Sequence, residues 1–186
     1  MSVFLKNIDK DIIGLDRGLG HTPLHLFTSK YGISESYLSQ LFKFTIVRNP
    51  FDLAISIYEY SRMEKSYWHS SDGSTEYGVH PDYEMLKNKD FEYFSKALIN
   101  RELKSTHAKR VQSDFFYKED IDLIIKLENL KFGLEKIYDF VLKNNKIKIN
   151  LNKFPHLNKS NKKINYSKYY KNSNSWENIV EFYKED

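Results

Sequence analysis

The residues best suited to chemistry in this sequence follow a short apolar segment. Phe42–Val47 is mostly β-branched or aromatic and predicts a buried strand. Arg48 comes next, so we expect it at the carboxyl end of that strand, where open α/β sheets bind their ligands. The guanidinium group of an arginine can hold a phosphate through two parallel hydrogen bonds. Arg48 is therefore a candidate anion-binding residue.

The residues after Arg48 predict the start of a helix. Asn49 is a good N-cap, Pro50 suits the first helical position, and Asp52 in the first turn complements the helix dipole. Helix initiation explains these three residues without any further function, but it does not explain Arg48. Ser56 lies one turn further along, where its hydroxyl could donate to the same anion.

Five segments of the chain, in order, resemble the sulfotransferases that use 3′-phosphoadenosine-5′-phosphosulfate (PAPS), in the branch with bacterial and carbohydrate-modifying members. They cover the chain from about residue 20 onward. The segments are Gly20-His21-Thr22-Pro23, the Arg48-Asn49-Pro50 strand end with Ser56, Gln112–Phe116 (QSDFF), Leu127–Leu130 (LENL), and Phe154–Ser160 (FPHLNKS) followed by Tyr166, Tyr169 and Tyr170.

This resemblance implies a fold, a co-substrate and a set of site residues. The fold is α/β, of the P-loop-like sulfotransferase type, with a parallel sheet flanked by helices in a single domain over residues 1–186. Arg48 and Ser56 are expected to bind the 3′-phosphate of PAPS, and Lys159, Lys162 and Lys163 to approach the nucleotide. The reaction would transfer a sulfuryl group to a hydroxyl acceptor, a glycan or a small molecule, without a metal.

One family feature has no counterpart in this sequence. The family opens with a strand and a Pro-Lys-x-Gly-Thr-Ser loop that grips the 5′-phosphosulfate, whereas Gly14–Gly20 is glycine-rich but carries no Lys-Ser or Lys-Thr pair. We therefore expect the N-terminal strand and phosphate loop to be missing, or to come from a preceding segment or a partner subunit. The alternative function is a non-catalytic remnant of the fold that binds a nucleotide or a polyanion.

His21 is the candidate catalytic base. It precedes Thr22, a predicted N-cap, and the positive end of a helix disfavours imidazolium, so a neutral ring could accept the proton of an acceptor hydroxyl. In some members of the family a histidine or a glutamate has this role. A zinc site with His25, four residues on, is another interpretation, although no third ligand is evident. Glu128, which could equally cap the helix beginning at Leu130, is the second candidate base.

Composition places the chain among globular proteins. Hydrophobic residues make up 40% and charged residues 29%, which excludes a disordered chain. The absence of cysteine excludes disulfides, thiolate catalysis and Cys-bound zinc. No apolar segment approaches the length of a membrane span, so we expect a cytoplasmic protein.

Charge is distributed unevenly. No acidic residue lies between Asp139 and Glu177, and this window holds nine lysines. A solvated basic face, an anion site and a nucleic-acid-binding track all fit such a window. An arginine at a strand end argues against the nucleic-acid track, so no nucleic-acid partner is expected. The segment Glu64–Tyr83 is predicted as a loop whose aromatic residues either stack on a sugar or form ordinary surface.

The remaining pattern predicts helices separated by strands, which favours an α/β domain with a parallel sheet. The second strand is expected at Ile121–Leu127. The helices are expected at Thr22–Tyr31, Ser34–Phe42, Phe51–Met63, Phe91–Lys104, Leu130–Asn144 and Ser175–Tyr183. The fourth helix should present Phe91, Phe94 and Leu98 on one apolar stripe. The last should present Trp176, Ile179, Val180 and Tyr183 on one face.

Overall fold

The computed structural model describes residues 23–64, 78–105, 108–116, 120–145 and 165–186. These residues form a mixed α/β structure, mostly helical, with a two-stranded parallel sheet flanked by helices. In chain order the elements are α1 (Phe27–Tyr31), α2 (Glu35–Leu38), β1 (Phe44–Val47), α3 (Pro50–Ser61), α4 (Tyr83–Leu86), α5 (Phe91–Ile99), β2 (Leu123–Lys126), α6 (Leu130–Asn145), α7 (Tyr166–Tyr169) and α8 (Ser173–Phe182). Short 3₁₀ helices lie at Leu24–Leu26, Gln112–Phe115 and Leu127–Asn129.

The chain divides into two compact units, which we describe separately. Unit 1 comprises Met1–Arg48 and Gln112–Lys162, and unit 2 comprises Asn49–Val111 and Lys163–Asp186. The expectation of one sulfotransferase-like domain over residues 1–186 stays a prediction.

Unit 1 contains the parallel sheet. Strands β1 and β2 pair in register from Phe44 opposite Leu123 to Val47 opposite Lys126, which confirms both predicted strands in shortened form. Helix α6 packs on the sheet, where its Leu134 and Ile137 are buried together with Ile125, which is 2% exposed. Parallel strands joined through helices bury apolar side chains in this way.

Two local features fix this packing in unit 1. Gly133 on α6 lies directly over Ile125, and a Cβ atom at this position would overlap the Ile125 side chain. Before the strands begin, the backbone N–H of Lys43 donates to Oδ2 of Asp122 at 2.7 Å, and the carbonyl of Lys43 accepts from the Asp122 and Leu123 N–H groups. These bonds set the register of β1 against β2 from their first residues.

Unit 2 is helical and, among the described residues, holds the larger apolar core. Helix α3 begins after the Asn49 cap, and α5 begins after Asp90, whose carboxylate accepts the Tyr93 N–H at 3.0 Å. Phe91, Phe94 and Leu98 are all buried, as the predicted apolar stripe of α5 requires. The buried core of unit 2 consists of Ala54, Ile55, Tyr58, Leu86, Phe91, Phe94, Ala97, Leu98, Leu103, Ala108, Ile179, Phe182 and Tyr183.

Two helices of unit 2 differ from the predictions. Helix α5 ends at Ile99 rather than at Lys104, because Arg101 takes a left-handed backbone with φ of 60° that a helix cannot continue through. Helix α8 buries Ile179 as expected, but it leaves Trp176 and Val180 each 48% exposed. Its buried side instead presents Ser175, Ile179 and Phe182.

The segment predicted as a long loop at Glu64–Tyr83 is partly described. Its described end is well packed: His80 and Asp82 are buried, and α4 begins at Tyr83. Tyr67, Trp68 and Tyr77, the aromatic residues that either stack on a sugar or form ordinary surface, lie outside the described residues.

Candidate functional site

Arg48 lies at the carboxyl end of β1, as the sequence predicts. The ladder with β2 ends at the pair Val47 and Lys126, and Arg48 is the next residue. The parallel strands place Lys126 at the same end of the sheet. Strand ends of this kind project side chains beyond the sheet edge, where α/β proteins bind ligands.

The backbone of Arg48 is held by a side chain from a distant part of unit 1. Oε1 of Gln112 accepts the Arg48 N–H at 2.7 Å, and Nε2 of Gln112 donates to the Arg48 carbonyl at 2.8 Å. The two residues are 64 positions apart in the chain. Gln112 thus satisfies both backbone polar groups at the point where the β-ladder stops. Sequence reasoning placed Gln112 in a family-like segment but did not find this role.

The side chain of Arg48 is suited to an anion. It is half-buried, and within the described part of the chain no carboxylate lies at ion-pair distance from its guanidinium group. A guanidinium with open donors and a fixed backbone can give a phosphate two charge-assisted hydrogen bonds.

In unit 2, the residues after Arg48 form the predicted helix start. Oδ1 of Asn49 accepts the Phe51 N–H at 2.9 Å, Pro50 occupies the first position of α3, and Asp52 lies in the first turn. The Tyr166 hydroxyl donates to Oδ1 of Asp52. Asp52 therefore has a structural partner, in agreement with the helix-initiation interpretation of this residue.

Ser56 is half-buried on α3, one turn beyond Asp52. Its hydroxyl has no hydrogen-bond partner among the described residues, so it can donate to a ligand. Arg48 belongs to unit 1 and Ser56 to unit 2. The expectation that each residue binds a phosphate comes from the sequence resemblance.

Tyr169 and Tyr170, which follow the FPHLNKS segment, form hydrogen bonds to α3. The Tyr170 hydroxyl donates to the Phe51 carbonyl at 3.0 Å, and the Tyr169 hydroxyl donates to Oε1 of Glu59 at 2.9 Å. Burial and, secondly, the bond to Glu59 raise the pKa of Tyr169 to about 12. Burial also raises the pKa of Tyr170 above its ordinary value. Both phenols therefore stay protonated at neutral pH and act as hydrogen-bond donors to the helix.

An aromatic stack adds to this attachment. The rings of Phe51 and Trp176 lie parallel, with centroids 3.9 Å apart, and Tyr170 meets both rings edge-on. The stacked pair covers part of the first turn of α3 while one face of Trp176 stays in solvent. Offset and edge-on aromatic contacts add stability beyond the area that they bury.

A buried serine, histidine and aspartate in unit 2 invite comparison with a hydrolase triad. Oγ of Ser61 lies 3.4 Å from Nε2 of His80, and Nδ1 of His80 lies 3.7 Å from Oδ2 of Asp82. Nδ1 accepts the backbone N–H of Asp82 at 3.1 Å, so the ring proton is on Nε2 and faces Ser61. A triad histidine must accept the serine proton through that nitrogen. This cluster is therefore structural rather than nucleophilic.

Asp82 has a second structural task in this cluster. It is completely buried, and its two carboxylate oxygens accept the backbone N–H groups of Lys104 at 2.5 Å and Ser105 at 3.1 Å. The carboxylate thereby fixes the chain just after α5.

Several predicted site residues lie outside the described residues. These are the candidate base His21 and the lysines Lys159, Lys162 and Lys163. Glu128, the second candidate base, is exposed in the 3₁₀ helix that precedes α6.

Among the described residues, no group of three or more His, Asp or Glu side chains is placed to hold a metal ion. None of the helices described has both the length and the apolar character needed to cross a membrane.

Comparisons of this chain with protein-family profiles, with curated proteins and with solved structures found no match.

Proposed function

We propose that this chain is a PAPS-dependent sulfotransferase that transfers a sulfuryl group to a hydroxyl acceptor, with a carbohydrate as the expected acceptor class. The order of five family-like segments in the sequence supports the family and its P-loop-like fold. The single structural observation that carries the proposal is Arg48, which follows a parallel strand with its backbone bonded and its guanidinium unpaired by any described carboxylate.

The donor nucleotide sets what Arg48 has to do. PAPS carries a 3′-phosphate that takes no part in the reaction, and binding it positions the sulfuryl group for attack. A bidentate arginine contact to this phosphate is strong and directional. The sequence resemblance alone also assigns the Ser56 hydroxyl to this phosphate.

The transfer itself is an in-line displacement at sulfur, comparable to phosphoryl transfer. The acceptor oxygen forms a new bond to sulfur while the bond from sulfur to the bridging phosphate oxygen breaks. Adenosine 3′,5′-bisphosphate leaves with the electron pair of that bond, and the proton of the acceptor hydroxyl passes to a base. His21 is the proposed base, with Glu128 as the second candidate.

Calorimetric binding tests the proposal. Adenosine 3′,5′-bisphosphate should bind the wild-type chain more tightly than adenosine 5′-monophosphate, because only the former presents a 3′-phosphate. Arg48→Ala should remove this preference, since a charge-assisted contact is worth roughly 1.5–3 kcal/mol, or about tenfold or more in affinity. Arg48→Lys should restore it only in part, because lysine keeps the charge but not the fork.

A neighbouring cation provides the matched control. Lys126 ends β2 at the same edge of the sheet and is exposed. Lys126→Ala should leave the preference for the bisphosphate in place. Equal wild-type affinities for the two nucleotides, or equal losses in Arg48→Ala and Lys126→Ala, would refute a specific 3′-phosphate site.

Catalysis is tested separately from binding. Radiolabelled sulfate should pass from PAPS to a hydroxyl on a panel of glycans and small molecules, and His21→Ala should lower the rate. The second candidate is a non-catalytic protein that binds the nucleotide or a polyanion. Specific binding of the bisphosphate without any transfer would select that candidate.

A further inference from the structure

Gln112 and Arg48 form the most specific long-range contact at the proposed site. The last residue pair of the β-ladder is Val47 with Lys126, so the peptide groups of Arg48 are not paired with β2. A carboxamide presents one acceptor and one donor side by side, as a peptide group does. The Gln112 side chain therefore takes the place of one residue of a strand.

The geometry of this contact is good at both ends. The two distances, 2.7 Å to the Arg48 N–H and 2.8 Å to its carbonyl, lie within the usual range for strong hydrogen bonds. Gln112 is half-buried, so water competes only in part for these groups. Both the N–H and the C=O of Arg48 are thus held, which restricts the backbone torsions that aim its side chain.

We propose that Gln112 is a positioning residue for Arg48, whose carboxamide sets the direction in which the guanidinium meets the 3′-phosphate of an adenine nucleotide. This inference rests on the proposed function and deepens it. Gln112 touches no reacting atom in this scheme and acts on the nucleotide through the backbone of Arg48. A bidentate contact tolerates little misorientation, so a freed backbone costs affinity for that phosphate.

Two substitutions of Gln112 separate positioning from general stability. Gln112→Met keeps the side-chain length and removes both hydrogen bonds to Arg48. Gln112→Asn keeps the amide but is one methylene too short to reach Arg48, and it serves if the methionine variant folds poorly. Gln40→Met is the matched control, because Gln40 is an exposed glutamine of unit 1 that lies before β1.

The first readout is independent of any ligand. Hydrogen exchange at the Arg48 amide should become faster in Gln112→Met and Gln112→Asn and stay unchanged in Gln40→Met. The second readout is calorimetric affinity for the two nucleotides. Affinity for adenosine 3′,5′-bisphosphate should fall about threefold to tenfold, as for one or two lost hydrogen bonds, while affinity for adenosine 5′-monophosphate stays constant.

The double variant Arg48→Ala/Gln112→Met completes the design. If Gln112 acts through Arg48, its removal should have no further effect on nucleotide preference once Arg48 is gone. Faster Arg48 exchange without a change in preference, or equal weakening of both nucleotides, would overturn the positioning role. A wild-type preference that survives Arg48→Ala would instead refute the proposed phosphate site itself, so the two failures are distinguishable.

Discussion

Asp82→Ala should destabilise unit 2 more than any exposed carboxylate of the same unit. The Asp82 side chain is completely buried and accepts the backbone N–H groups of Lys104 and Ser105. Hydrogen bonds to a charged group contribute about 1.5–3 kcal/mol each. Ser105 is buried, so its backbone N–H would be left without a hydrogen-bond partner. Lys104 is exposed, so its backbone N–H could bond to water instead.

The expected loss is therefore about 3–5 kcal/mol rather than the full sum of two strong bonds. A typical domain has only about 5–15 kcal/mol of stability, so this would be a large fraction. Asp82→Asn should lie between wild type and alanine, since its amide oxygen can still accept one N–H. With a urea slope of about 1–3 kcal/mol/M, the alanine variant should unfold at a midpoint about 1–5 M lower.

Urea unfolding followed by circular dichroism measures this loss, and hydrogen exchange at residues 104 and 105 localises it. Asp90→Ala is the matched control, because Asp90 is exposed and its carboxylate accepts the Tyr93 N–H as the cap of α5. Loss of such a cap costs about 0.5–2 kcal/mol. If Asp82→Ala costs no more than Asp90→Ala, the buried carboxylate does not hold this loop and the reasoning fails.

The remaining predictions concern buried groups of both units. Tyr183→Phe should raise the melting temperature, by the equivalent of about 1 kcal/mol, because its buried hydroxyl has no hydrogen-bond partner among the described residues. Tyr170→Phe removes the same atom but breaks a 3.0 Å bond to the α3 backbone, so it should lower the melting temperature, and shifts of the same sign would contradict this account. Burial raises the pKa of both phenols, and burial with a glutamate bond raises the pKa of Tyr169 to about 12. Folding favours the protonated form of these tyrosines, so their contribution to the free energy of unfolding should be fully present below about pH 10 and should fall as pH rises toward 12. Urea midpoints that stay unchanged across that range would refute this linkage. Gly133→Ala should destabilise unit 1 by about 1–3 kcal/mol, because the added methyl group meets buried Ile125, and Ile125→Ala in the same chain should relieve that clash.

Much of the site's local framework can be predicted from the sequence because its causes are local. The apolar run predicts β1, and Arg48 directly after it must lie at the strand end. Asn49 and Pro50 start α3 through bonds and torsions that involve only the next few residues. The 3.6-residue spacing of Phe91, Phe94 and Leu98 likewise predicts the buried side of α5.

Hydrogen-bond partners that are distant in the chain become evident only in the tertiary structure. Nothing in the spacing of Gln112 indicates that its amide would bond to Arg48, since the two residues are 64 positions apart and only the folded chain brings them together. The same holds for Asp82 and the chain after α5, and for Trp176, whose helical spacing suggests burial although nearly half of it is exposed. Periodicity encodes which side of an element is apolar, whereas the partner of a polar group depends on long-range packing of the whole unit.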